Sequence, residues 1–145
     1  MALTVFLDSN VLFSIAYSGP ERSRSYLLFE LEKKGRLRLY ISELVFRETA
    51  VNLRLKRPEQ EPFLKKLLSR LTILPDQPLG LPQLGFLPLQ DRLILETAIS
   101  NGLQFFLTGN RRHFGPLYGR KIKDTRVLSP AEFLHRRFGG KDAED

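Results

Sequence analysis

Asp8, Glu48, Asp91 and Asn110 are the residues whose types and positions could do chemistry together. Asp8 directly follows the apolar run Leu3-Thr4-Val5-Phe6-Leu7, and Asn110 closes the turn Thr108-Gly109-Asn110 after Phe105-Phe106-Leu107. Glu48 shares a helical stripe with Leu44, Val45, Asn52 and Leu55, a spacing that aims its carboxylate towards the sheet. Asp91 stands in the first turn of a helix, on the side of Ile94, Leu95 and Ala98. Three carboxylates gathered in one crevice repel and raise one another's pKa unless a cation compensates them. A hard divalent ion with oxygen ligands, Mg²⁺ or Mn²⁺, meets that need. Each residue also has a plainer reading. Asp8 and Asn110 suit helix N-caps, and Asp91 suits a first-turn partner of the helix dipole, worth about 0.3–1 kcal/mol. Glu48 could reach solvent, Arg47 or Arg54.

The elements that must position these residues alternate between strand and helix. The apolar run Leu3–Leu7 reads as a strand buried on both faces. Helical patterns follow over Val11–Tyr17 and Arg22–Lys34, the second closed by Gly35. Strand 38–41 leads to Ser42, which suits the cap of a helix over Glu43–Lys56 that stops before Pro58. A helix over Glu59–Arg70 and strand 71–74 come next, then a long loop, Pro75–Pro88, rich in Pro and Gly. Its length predicts a flap near a site, and Leu79, Leu81, Leu84, Phe86 and Leu87 predict that it packs down or meets a partner. A helix over Leu89–Asn101, strand 105–107, a short helix or turn over 110–118, strand 126–128 and a helix start at Ser129-Pro130-Ala131-Glu132 complete the pattern. The alternation predicts an α/β domain with a parallel sheet covered on both faces, whose ligand crevice lies at the strand carboxyl ends. One domain over 1–138 is expected, with a frayed tail over 139–145.

Composition narrows the chemistry. Of 145 residues none is cysteine, which excludes disulfides, thiolate nucleophiles and cysteine-held zinc. A content of 42% hydrophobic and 27% charged residues fits a folded domain rather than a disordered chain. No basic leader and no run of about 20 apolar residues is present, so a cytoplasmic location without membrane contact is expected. The net charge of +7 suits either a polyanionic partner or a solvated basic surface.

Three stretches together carry a resemblance: Val5-Phe6-Leu7-Asp8-Ser9-Asn10-Val11-Leu12, Ser42-Glu43-Leu44-Val45-Phe46-Arg47-Glu48, and Asp91 to Ile99 running on to Leu107-Thr108-Gly109-Asn110. In order and spacing the chain resembles the PIN-domain family, which includes the VapC-type toxins of toxin–antitoxin pairs. The resemblance implies a three-layer α/β/α fold with about five parallel strands ordered 3-2-1-4-5, and a metal-dependent ribonuclease site. Asp8, Glu48 and Asp91 then correspond to the family's first three acids. In the implied mechanism Asp8 and Asp91 bind Mg²⁺ (or Mn²⁺) while Glu48 orients or deprotonates the attacking water. The family's fourth acid usually ends a Thr-Gly-Asp turn, whereas this turn ends in Asn110, a neutral donor to the metal. Arg111, Arg112 and His113 either grip RNA phosphates or form a solvated helix face. RNA, a second copy of the chain in a homodimer, and a small antitoxin protein are the implied partners.

Other α/β enzymes fit less well. A phosphatase of the haloacid dehalogenase type wants a second Asp where Asn10 stands, and a phospho-receiver domain wants an acidic neighbour for Asp8 besides an acceptor such as Asp76. The alternative from another class is a catalytically weakened PIN domain that binds RNA or protein without cutting.

Overall fold

The computed structural model describes residues 1–139; the tail expected from 139 onward lies, beyond Gly139, outside the described residues. The strands are β1 (Leu3–Leu7), β2 (Leu37–Ser42), β3 (Thr72–Leu74), β4 (Phe105–Leu107), β5 (Lys121–Ile122) and β6 (Thr125–Leu128). They form one sheet in the order β3-β2-β1-β4-β6-β5, parallel throughout except for the β5–β6 pair. The fifth strand expected over 126–128 is β6, beside β4, so the expected parallel order is present. The additional edge strand β5 has two residues, too few to show an alternating pattern.

Registers run Val5 opposite Leu39 and Phe105, which makes β1 central. Val5, Phe6 and Leu7 are fully buried, as the unbroken apolar run requires of a strand covered on both faces. Phe6 and Phe106 stack at 5.4 Å between ring centroids, and Phe106 meets Phe114 at 5.2 Å. Fully burying each such side chain stabilises the fold by about 1.5–3 kcal/mol.

The helices are α1 (Ser9–Ser18), α2 (Leu27–Lys33), α3 (Glu43–Lys56), α4 (Glu61–Leu68), α5 (Leu89–Ser100), α6 (Arg111–Phe114) and α7 (Pro130–Leu134). Helices α1, α3 and α4 pack on one another, α2 lies on β2 and α5 on β4. Two expected helices start with a separate 3-10 turn, at Arg24–Tyr26 and Pro58–Gln60. The sequence pattern predicts continuous helix from Arg22 in the first of them, but Glu21 to Ser23 are non-helical. Helix α3 is capped twice: Ser42 Oγ accepts from Val45 N and Asp76 Oδ1 from Leu44 N. Asp76 is thus a structural carboxylate. Gly35 follows α2 at φ +77°, a conformation that a β-carbon disfavours.

The buried stripe of α3 is Val45, Thr49 and Leu53, not the expected one that included Leu55, which is exposed. Helix α3 is partly exposed along the flank that bears Glu48 and Asn52, so the true seam falls one position away on the helical wheel.

Candidate active site

Asp8 leaves β1 with its N–H donating to Leu107 O at 2.9 Å, which ties it to the carboxyl end of β4. It begins α1 as the N-cap, Oδ1 accepting from Ser9 N at 2.8 Å. Its other oxygen, Oδ2, accepts from Thr108 Oγ1 at 2.8 Å and from Asn10 Nδ2 at 3.0 Å. Asn10 then reaches across with Oδ1 to accept from Gly109 N at 2.7 Å. A β-carbon on Gly109 would lie 3.2 Å from that same Oδ1 and would press on the Asn10 amide. Thr108 Oγ1 accepts in turn from Asn110 N at 3.1 Å. The cap does not take Asp8 away from the crevice, since the same carboxylate also lines the cavity described below.

Burial raises the Asp8 carboxyl from 3.8 to about 6; its bonds to Thr108 and Ser9 pull against that shift, and the charges of Asp91 and Glu48 add to it. Glu48 is likewise raised, by burial first, with Asp91 adding and the Ser9 hydroxyl opposing. Neither arginine offered as a partner neutralises it. Arg47 pairs with Asp76 at 3.4 Å and Arg54 with Glu61 at 3.2 Å.

Asp91 sits in the first turn of α5, and its Oδ2 lies 2.6 Å from His113 Nδ1. A carboxylate only accepts, so Nδ1 carries the proton, and the 3.1 Å approach of Asn110 Nδ2 to the same nitrogen is not a hydrogen bond. Asn110 caps α6, its Oδ1 accepting from His113 N at 3.2 Å. His113 thus faces Asp91, while Arg111 and Arg112 are exposed and Arg111 lies over the Tyr118 ring at 5.9 Å.

Asp8, Glu48, Asp91 and Asn110 line one open cavity of about 580 Å³, together with Ser9, Asn10, Phe13, Arg47, Val51, Asn52, Lys56 and Gln90. The donor chemistry fits a hard divalent cation: oxygen ligands, with two carboxyls whose pKa values are raised by burial and mutual repulsion. Among the described residues no three His, Asp or Glu side chains close tightly enough to enclose an ion unaided. Mg²⁺ keeps several waters and is bound through one or two carboxylates, so such an ion does not need three acidic side chains in contact.

Sequence patterns assign no role to several residues of this region. Asn10 and Thr108 knit the Asp8 turn to the Gly109 turn, and their positions two residues from an acid and before a Gly were the available signals. Glu96 is 2% exposed, and its carboxylate accepts from Leu79 N, Gly80 N and Leu81 N at 2.7–3.1 Å, with Arg92 at 3.2 Å. The long loop is consequently strapped to α5. It packs down through Leu84 and Leu87, as expected, but none of its residues lines the cavity, so it is not a flap over the acids.

Residues 4–112 match the PIN domain family. No curated protein matches the sequence. Among solved structures, a chain of VapBC2 from Rickettsia felis, bound to a DNA fragment from its promoter, superposes with a TM-score of 0.60 at 20% identity. A chain of DNA-bound VapBC from Salmonella typhimurium gives 0.63, also at 20% identity; each match covers 88% of this chain and 98% of the other. These two likenesses concern the fold. No helix of the described residues is long and apolar enough to cross a membrane.

Proposed function

We propose, from the premise that this chain belongs to the PIN-domain family, that it is a metal-dependent endoribonuclease acting on single-stranded RNA in the cytoplasm, the toxin of a toxin–antitoxin pair. The observation that carries this reading is the convergence of Asp8, Glu48 and Asp91 on one cavity, with Asp8 raised to about 6 by burial and by its acidic neighbours. Asp8 and Asp91 would hold Mg²⁺ or Mn²⁺, with Glu48 lining the same cavity and Asn110 offering a neutral oxygen donor. The chemistry such an ion supplies is charge neutralisation at the phosphate and activation of water near neutral pH. Glu48, raised above the usual carboxylate range, takes the proton from the attacking water at a carboxylate oxygen. Thr108, Asn10 and Ser9 hold Asp8 in one rotamer, and His113 does the same for Asp91. Exposed Arg111 and Arg112 sit just beyond the Gly109 turn, where they contact RNA phosphates.

The partners are a second copy of the chain and a small antitoxin; the antitoxin is in keeping with the VapBC complexes whose fold this chain shares.

A second reading has its own observation: Asn110 stands where a fourth acid is usual, and its carbonyl is engaged as a helix cap. A site with less negative charge holds its ion more weakly, which favours an RNA-binding module that cuts slowly or not at all. One experiment separates the two. Purified protein is incubated with single-stranded RNA and Mn²⁺ or Mg²⁺, with and without chelator, beside Asp8→Asn. Cleavage that needs the metal and disappears in the variant supports the nuclease; binding without cleavage supports the module.

A further inference from the structure

We infer that the outer wall of the acidic cavity holds a subsite for one unpaired nucleobase, with Phe13 as its stacking surface and Lys56 as the adjoining phosphate contact. This rests on the ribonuclease reading and names how its substrate is gripped.

The acids create a difficulty for that reading, because a carboxylate cavity repels the phosphodiester it is meant to cut. Cations must stand close by. Two line the cavity, Arg47 and Lys56. Arg47 is engaged with Asp76 at 3.4 Å, whereas Lys56 has no ion-pair partner among the described residues. Lys56 ends α3 with its Nζ 5.4 Å from the centre of the Phe13 ring. Phe13, half-buried on α1, lines the same cavity as Asp8, Glu48 and Asp91.

One turn further along α1, Tyr17 is 40% exposed and lies 5.5 Å from Phe13, the two rings inclined by 37°. Arg57 covers Tyr17 at 5.3 Å and is held by Glu59 and by the Tyr17 backbone carbonyl. The result is an aromatic and basic ledge that runs outward from the acids. Alternating π-faces and cations are what a single strand of nucleic acid recognises without regard to sequence. The Lys56–Phe13 contact could by itself serve only to clasp α3 to α1. A clasp affects stability and leaves RNA untouched, so the two roles separate experimentally.

The test titrates the full chain, in chelator so that no turnover occurs, with a short single-stranded oligoribonucleotide carrying 2-aminopurine. A matched oligonucleotide has one abasic position in its place. Stacking predicts fluorescence quenching on binding, and a loss of affinity of roughly 5- to 100-fold for Phe13→Leu, which keeps apolar bulk without the π-face. The abasic oligonucleotide loses a similar factor with wild-type protein, and Phe13→Leu then weakens it no further. Phe13→Tyr retains the quench. Lys56→Gln lowers the salt slope of binding by about 1. Unchanged affinity and quench in a folded Phe13→Leu overturn the subsite and leave the ledge to a protein partner. If wild-type protein then still cleaves RNA with Mn²⁺, only the subsite has failed. Wild-type protein that neither binds nor cleaves RNA overturns the ribonuclease reading as well.

Discussion

Replacing Asp8 by asparagine is expected to stabilise the metal-free protein above pH 6, although it removes an acid of the candidate site. Asp8 is 2% exposed and its carboxyl is raised from 3.8 to about 6. A carboxyl with a raised folded value binds its proton more tightly folded than unfolded, so stability falls as pH climbs from about 4 through about 6. Above that window the charged side chain costs about 3 kcal/mol, at 1.36 kcal/mol per pH unit. Asparagine cannot ionise, so it escapes that cost. Its Oδ1 still accepts from Ser9 N, but an amide nitrogen now faces the Thr108 hydroxyl and Asn10 Nδ2, losing about 1 kcal/mol of hydrogen bonding. The net gain is about 2 kcal/mol at pH 7–8. Below pH 4 the wild-type carboxyl is protonated in both states, and the variant becomes the less stable by about 1 kcal/mol. Urea unfolding of both proteins in chelator at pH 3.5, 5 and 7.5 measures the difference directly. Adding Mn²⁺ at pH 7.5 narrows the gap by stabilising only the wild type. A variant less stable at every pH, or a difference that ignores pH, refutes the claim that Asp8 is an uncompensated buried charge.

Further outcomes follow from single residues. Glu96→Gln loses a charge that accepts from three backbone N–H groups and Arg92, and is expected to cost about 2–3 kcal/mol and to open 79–81 to limited proteolysis. Burial raises the Glu96 carboxyl, but those donors outweigh it and leave it below the ordinary value. Its contribution is therefore present above about pH 4.5 and fades as pH falls through the folded value, so the gap between variant and wild type shrinks in acid. Asn110→Asp keeps the helix cap and adds a charge to the cavity wall; Mn²⁺ affinity by calorimetry is expected to rise on the order of tenfold, about 1.4 kcal/mol, with faster RNA cleavage. Thr49 Oγ1 is buried with no hydrogen-bond partner, so Thr49→Val is expected to raise stability by about 1 kcal/mol in denaturant unfolding.

Much of the fold was legible because β1, β2, β4 and β6 are short β-prone segments separated by helical patterns, and that alternation points to a parallel sheet. The meeting of Asp8 and Asn110 was legible for the same reason, since parallel topology sends strand carboxyl ends to one edge. The α3 stripe was misjudged because the pattern Leu44, Val45, Glu48, Asn52 does not reveal which flank meets the sheet; Thr49, polar but buried, hid the true seam. The pairing of His113 with Asp91 spans 22 residues, and its fixing by the Asn110 cap could not be read from spacing alone. The role of Glu96 was hidden likewise, because backbone donors leave no trace in residue types.

Glu96 and Asp91 occupy the same helix, α5, so the strap on the loop and one acid of the cavity hang from a single rod. Drawing Leu79–Leu81 outward means stripping a carboxylate of three amide donors at once. A protein that pulled there would transmit its tug along α5 to Asp91. Lengthening the chain between Gln77 and Leu81 would therefore strain the helix that carries Asp91, whereas an insertion at the exposed Phe86 would be felt locally.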